Sequence, residues 1–375
     1  MTRSPLRVAV VGGSLGGLFV AALLHRSGHD VTVLERSRQG LSHRGAGLVG
    51  QHDLFDILAR LGLQDVLRSG VEARERITLN RRGDVLHRDP TRQTQLSWDF
   101  IYDGLRALLP SERYLLGSAA TTVSQSDGAT IVHTANGREM AYDLVVGADG
   151  INSVVRDVVA PGHSTNRYVG YVTWRGLVPE SSLPQPARND LVERFAFYTA
   201  SHAHMLGYLV PGEEGQTQPG MRRYNWVWYR SLSAPELERL MVKCGHLATS
   251  GSLAPGDLPA DLRDSLVQSA ASELPRAFAQ AVEVEPRPFL QAIFDYVAPR
   301  MSTSSVALIG DAAAVVRPHT AMGAAKAAGD AMALADLLNS DLSLAMALTK
   351  YNESRLPVSH AIARYGQQLG ESLPL

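Results

Sequence analysis

The 375-residue chain has a single cysteine, Cys244. No intramolecular disulfide can form, and no cysteine cluster exists to hold zinc or iron–sulfur. Neither charge is in excess: 36 basic against 37 acidic residues leave a formal net charge of −1. A nucleic-acid binder would carry a basic surplus, which excludes nucleic acid as the main partner. Long apolar runs are missing as well. The uncharged stretch at residues 8–24 is broken by Gly12, Gly13, Gly16 and Gly17, and His25, Arg26 and Ser27 follow it in place of a small-residue cleavage site. Neither export nor a membrane span is expected, and with one cysteine the expected location is cytoplasmic. The remaining composition, 45% hydrophobic and 19% charged, is that of a globular chain. Its length suits about two domains with a core that needs no covalent staple.

The chain opens on a strand pattern, Leu6-Arg-Val-Ala-Val-Val11, followed by the turn Gly12-Gly-Ser-Leu-Gly-Gly17. Leu18, Val20, Ala21, Leu23 and Leu24 then repeat at helical spacing as far as Gly28, and a second β-branched run, Val31-Thr-Val-Leu34, ends in Glu35. This is a βαβ unit. Against G-x-G-x-x-G, Gly12 takes the first position and Gly17 the third, while Ser14 replaces the middle glycine. A helix starting at such a turn offers free N–H groups and partial positive charge to a phosphate. Glu35 stands where an acid meets a ribose hydroxyl. An adenine dinucleotide is the expected ligand, and FAD and NAD satisfy the pattern equally.

Two later strand patterns also deliver a glycine and an aspartate at their carboxyl ends. Leu144-Val-Val146 runs into Gly147-Ala-Asp-Gly150, and Val306-Ala-Leu-Ile309 runs into Gly310-Asp-Ala312. In an open α/β sheet that edge is where ligands sit, so three distant segments are expected to converge on one ligand. Between them, residues 168–230 alternate Tyr, Trp, Val and Thr between turn residues, the pattern of an antiparallel sheet. Helical patterns follow at 233–245, 260–284 and 326–366, the last divided near Pro357.

The segment Gly147-Ala-Asp-Gly150 with Ser153 and Arg156, joined to Gly310-Asp-Ala-Ala313 and Pro318, resembles the single-component FAD-dependent aromatic hydroxylases of the para-hydroxybenzoate hydroxylase fold. With Tyr171-Val-Thr-Trp-Arg-Gly176 and Arg317-Pro-His-Thr-Ala-Met-Gly323-Ala-Ala-Lys326, the chain is most similar to their 2,6-dihydroxypyridine 3-hydroxylase branch. The resemblance implies an α/β fold: a Rossmann-like FAD-binding domain (residues 1–75, 97–166 and 286–375), an inserted antiparallel-sheet substrate domain (76–96 and 167–285), and C-terminal helices. It implies non-covalent FAD, NADH or NADPH as co-substrate, and transfer of one atom of O2 from a C4a-hydroperoxyflavin to an electron-rich hydroxylated aromatic or pyridine ring, the other atom leaving as water. The small aromatic substrate is the expected partner, and a homodimer is the assembly common in the class.

Carried onto this sequence, the cofactor contacts are Gly12, Ser14, Gly17, Glu35, Arg36, Arg44, Gly47, Arg106, Asp149, Asp311, Pro318 and Gly323. Asp311 is expected on the ribityl chain, and the helix beginning near Gly323 on the edge of the flavin that becomes negative on reduction. Two departures stand out. Ala314 replaces a histidine, and Trp98 stands where an arginine usually approaches the pyrophosphate, leaving Arg44 or Arg106 to supply that charge. His319 is the first candidate to help the ring hydroxyl lose its proton, ahead of His52 and His204. Tyr198, Tyr208 and Trp228 are the candidate substrate contacts. Arg175 suits either an acidic substrate group or a structural ion pair. The competing readings are an enzyme acting on a larger aromatic natural product or antibiotic, a flavin-dependent halogenase, and a flavin-binding protein without oxygen chemistry.

Overall fold

The computed structural model describes residues 4–42, 46–126 and 129–375. Its first sheet is parallel, five-stranded, and ordered Val306–Leu308, Leu144–Gly147, Arg7–Val11, Asp30–Leu34, Tyr114–Leu115. These strands are buried on both faces, which is why they read as unbroken apolar runs. The helix Leu15–Arg26 follows the glycine turn and buries Leu18, Phe19 and Leu24 completely. Each such side chain contributes about 1.5–3 kcal/mol. Gly17 is required here, because a Cβ would lie 1.9 Å from the Gly12 carbonyl oxygen.

The register of this sheet decides where the ligand-bearing turns fall. Leu34 pairs with Val11, Val11 with Gly147, and Gly147 with Leu308, so four strands end in one row. With neighbours about 4.8 Å apart, the row spans roughly 14 Å. The residues that follow, Glu35, Gly12, Ala148 and Ile309, therefore leave one edge of the sheet together.

The second sheet holds nine strands, antiparallel except where Arg194–Ala200 runs beside Glu75–Leu79. Its centre is Phe289–Val297, Arg167–Pro179, Arg223–Ser231 and Ala203–Val210. Phe289–Val297 thus lies within this sheet, past the boundary expected at residue 285. Helices Ala260–Glu273 and Arg276–Glu283 cover one face, where Tyr224, Trp226, Trp228 and Phe278 share a core. The C-terminal helices divide differently from expectation. Gly323–Leu338 and Leu344–Glu371 are separated by a short loop, with the Ser343 hydroxyl accepting from the Met346 N–H, and Pro357 lies inside an unbroken helix. Loss of one backbone hydrogen bond at Pro357 is outweighed by the packing of the 28-residue helix.

Candidate active site

A cavity of about 520 Å³ opens along the shared strand edge, and Gly12, Ser14, Glu35, Arg36, Gly47 and Asp149 all line it. Gly12 holds φ +103°, and a Cβ there would sit 2.3 Å from the Ala148 carbonyl oxygen. The glycine therefore lets the first turn lie directly on the second ligand-bearing segment. Gly13 is needed for another reason. Tyr114 lies beneath it and donates its hydroxyl to the Gly13 carbonyl at 2.9 Å. Ser14 caps the helix without a side-chain cap bond, so its hydroxyl and the first-turn N–H groups are left for a ligand. The Glu35 carboxylate accepts from the Gly13 and Ser37 N–H groups, at 2.8 and 2.7 Å. Asp149 accepts from the Val154 N–H through Oδ2, while its Oδ1 is buried with no partner among the described residues. Burial raises this carboxyl, against hydrogen bonds from Ser153 and the following N–H groups. A buried acceptor facing a cavity marks a place where a ligand donates.

Asp311 follows the fourth strand of the row. Its side chain is exposed and is not among the residues lining the cavity, and desolvation raises its carboxyl against the pull of Lys326 and Arg156. Two buried cations clamp the backbone around it. The Arg156 guanidinium donates to the Asp311 and Ala312 carbonyls, at 2.5 and 2.7 Å, and stacks on Tyr296. The Lys326 ammonium donates to the Gly310 carbonyl at 2.9 Å and to Asp330 at 2.8 Å. Asp330 in turn accepts from the Gly310 N–H and from Arg355. Sequence reasoning missed Asp330 and Arg355 altogether.

The other expected cofactor residues are dispersed. Pro318 and Gly323 are exposed next to this edge, and outside its own helix no atom of the described residues approaches the place a Gly323 Cβ would take. Arg106 is absent from the cavity wall; its guanidinium lies over Tyr114, 4.5 Å from the ring centre, and donates to the Leu109 carbonyl. Arg44 falls outside the described residues. Trp98 does line the cavity, held by parallel stacking on Tyr102 at 5.1 Å.

On the second sheet, strand alternation decides which candidates approach the cavity. Tyr198 and Trp228 turn toward the covering helices and join their core. The opposite parity carries Arg175, Phe289 and Gln291, which form the sheet's part of the cavity wall. Tyr208 shares that parity, and its hydroxyl donates to the Gly47 carbonyl at 3.1 Å, tying the first domain's backbone to the sheet. His319 lies off the cavity wall in a packed cluster. It stacks on Tyr229 at 4.5 Å, and its Nε2 is 2.9 Å from the Tyr171 hydroxyl. Burial, with His204 and Arg317 nearby, pushes its pKa down to about 3, and burial brings His204 to about 4. His52 is exposed beside Asp56, on the Asp53-containing helix His52–Arg60.

Two histidines held neutral in the fold have a measurable consequence. In the unfolded chain each takes up a proton below about pH 6.5, whereas the folded protein resists until near pH 4 or below. The unfolded state then binds more protons, so stability falls as pH drops through this window, by about 2 kcal/mol per histidine between pH 7 and 5. Urea midpoints measured across that range should fall, and His204→Asn should flatten the dependence. An unchanged slope in that variant would remove His204 from the account.

The glycine cradle, the orphaned Asp149 oxygen and the row of strand ends fit an extended dinucleotide. Comparison with known proteins places the chain in a class. A family model for FAD binding domain-like proteins matches residues 168–295, and one for NAD(P)-binding Rossmann-like domains matches residues 10–44. The chain belongs to the single-component FAD-dependent aromatic hydroxylases: it is a flavoprotein monooxygenase that uses NAD(P)H and O2 on aromatic rings.

Within that class it is 34% identical to 2,6-dihydroxypyridine 3-monooxygenase of Paenarthrobacter nicotinovorans, over 96% of this chain and 90% of that one. It is 28% identical to 6-hydroxynicotinate 3-monooxygenase of Bordetella bronchiseptica, over 88% and 81% respectively. The solved structure of 2,6-dihydroxypyridine-3-hydroxylase from Arthrobacter nicotinovorans superposes with a TM-score of 0.91 at 30% identity, covering 100% of this chain and 94% of that one. Among the described residues, no helix is long and apolar enough to cross a membrane.

Proposed function

We propose that the protein hydroxylates a small hydroxylated pyridine of the 2,6-dihydroxypyridine type. The observation that carries this reading is the end-to-end agreement, in sequence and fold, with a hydroxylase of that ring. The parallel-sheet part of the chain would hold FAD through Gly12, Ser14, Glu35, Arg36, Gly47, Asp149, Asp311, Pro318 and Gly323, with Gly17 shaping the turn. The large antiparallel sheet, including Phe289–Val297, would hold the substrate. Bound FAD supplies hydride acceptance and oxygen activation, chemistry no side chain offers.

The chain's own part is to orient and shield. Phe289 gives a planar ring an aromatic wall, and Gln291 gives it a hydrogen-bonding amide, while the fully buried Trp226 and Trp228 keep water out from behind the sheet. His319, uncharged and engaged with Tyr171, suits anchoring of the 318–323 loop to the sheet better than taking the ring proton. A cytoplasmic site of action fits the single cysteine and belongs to the same proposal.

A screen of hydroxylated pyridines and phenols for stimulated NADH oxidation tests the reading, with peroxide measured alongside. 2,6-Dihydroxypyridine should accelerate oxidation severalfold, with oxygenated product and little peroxide. Acceleration by simple phenols alone would overturn it.

A further inference from the structure

Arg175 is the anomaly of the cavity wall. It extends from the strand Arg167–Pro179 on the face turned away from the helices, half-buried, with its Nε shielded from solvent and without a partner among the described residues. Among the described residues no carboxylate lies within ion-pair distance of it. Glu285, at the same end of the sheet, instead gives its oxygens to the Leu177 and Arg287 N–H groups. A guanidinium drawn partly out of water without a counter-ion costs stability, and a ligand that brings negative charge offsets that cost.

The surroundings define the ligand. The guanidinium lies 5.7 Å from the centre of the Phe289 ring, and Gln291 lines the wall beside them. A planar fork next to an aromatic surface suits a flat, conjugated oxyanion better than a tetrahedral one. Among the described residues, the other charged groups on this wall are Glu35, Asp149 and Arg36. Glu35 is engaged by backbone N–H groups, and Arg36 lies exposed beside it, directly after the Asp30–Leu34 strand. The phenols of Tyr208 and Tyr229 lie within electrostatic reach of Arg175, and burial keeps both protonated, pushing Tyr208 up to about 12 and Tyr229 up as well. The two nearby histidines are uncharged near neutral pH, so neither supplies positive charge to a ring that has lost its proton.

We propose that Arg175 is the anion receptor of the active site, binding the hydroxypyridine as its ring oxyanion and thereby selecting ionised rings. This rests on the reading that the substrate is a hydroxypyridine, and the experiment separates the two. FAD-loaded wild type, Arg175→Met and Arg175→Lys are titrated with 2,6-dihydroxypyridine across a pH series, reading the ring's own ultraviolet bands for its ionisation. They are titrated in parallel with iodide, a plain anion, read by its perturbation of the flavin spectrum.

Loss of a charge-assisted bond should weaken ring binding in Arg175→Met by roughly 10–100-fold and raise the bound ring's apparent pKa. Iodide binding should weaken with it, FAD content should hold, and Arg175→Lys should fall between. Wild-type ring and iodide binding in Arg175→Met would overturn the proposal. So would loss of FAD, or a raised KM for NADH with ring binding intact, since each assigns the charge to a dinucleotide. If wild type ignores the pyridine yet binds iodide through Arg175, the receptor stands and the hydroxypyridine reading falls.

Discussion

Replacing Asp330 by alanine is expected to remove about 3–5 kcal/mol of folding free energy, the range for breaking a buried charge pair from one side. Asp330 is fully buried and serves three donors at once: the Lys326 ammonium, the Arg355 guanidinium and the Gly310 N–H. Without it, Lys326, 1% exposed, keeps one carbonyl as its partner and has no route to water. The damage is also local to function, since Gly310 precedes Asp311. Flavin affinity should therefore fall along with stability. Urea unfolding of the flavin-free protein isolates the first effect, and FAD titration reads the second. Asp330→Asn keeps hydrogen-bonding capacity without the charge and should lie between. A loss below about 1 kcal/mol in Asp330→Ala would contradict this account of the buried pair.

The second large effect is expected at Gly12. Alanine there meets two penalties, a φ of +103° and a Cβ 2.3 Å from the Ala148 carbonyl oxygen. Strain and overpacking together cost roughly 2–6 kcal/mol. Relief comes only if the turn parts from the 148–150 backbone, which separates two of the segments proposed to grip the cofactor. FAD binding should be lost more completely than the fold, read by fluorescence titration beside thermal unfolding. Gly323→Ala is the contrasting case: outside its own helix and chain neighbours, no atom of the described residues lies within 4 Å of the added Cβ, so a bound ligand is what would object to it. Gly12→Ala protein that takes up FAD as tightly as wild type would contradict the cradle.

Much of this site could be read before folding, for definite reasons. The βαβ unit and the later strand ends announce themselves because doubly buried parallel strands are apolar throughout and their turns need glycine. Alternation in the aromatic sheet was equally visible, but alternation alone does not say which parity faces the cofactor. Tyr198 and Trp228 belong to the aromatic strands expected to cover the flavin's substrate side, but their rings fill the helix-covered core. The better signal was polarity. Arg175, Asn225 and Gln291 share the other parity, and polar side chains inside an aromatic strand have to face something. The buried Lys326–Asp330 pair carries no such signal in the sequence. At i,i+4 in a helix it reads as an exposed ion pair, yet the small neighbours Ala327, Ala328 and Gly329 let other elements close over it. Arg355 is invisible as its partner because 25 residues separate them.

The central claim is that one FAD lies across the edge where the Asp30–Leu34, Arg7–Val11, Leu144–Gly147 and Val306–Leu308 strands end together. The most direct measurement is the flavin content of the purified protein: release by heat, identification of the nucleotide, and its ratio to chain. The account requires yellow protein with one releasable FAD per chain, restored by added FAD after stripping. Colourless protein that takes up no added FAD would contradict it.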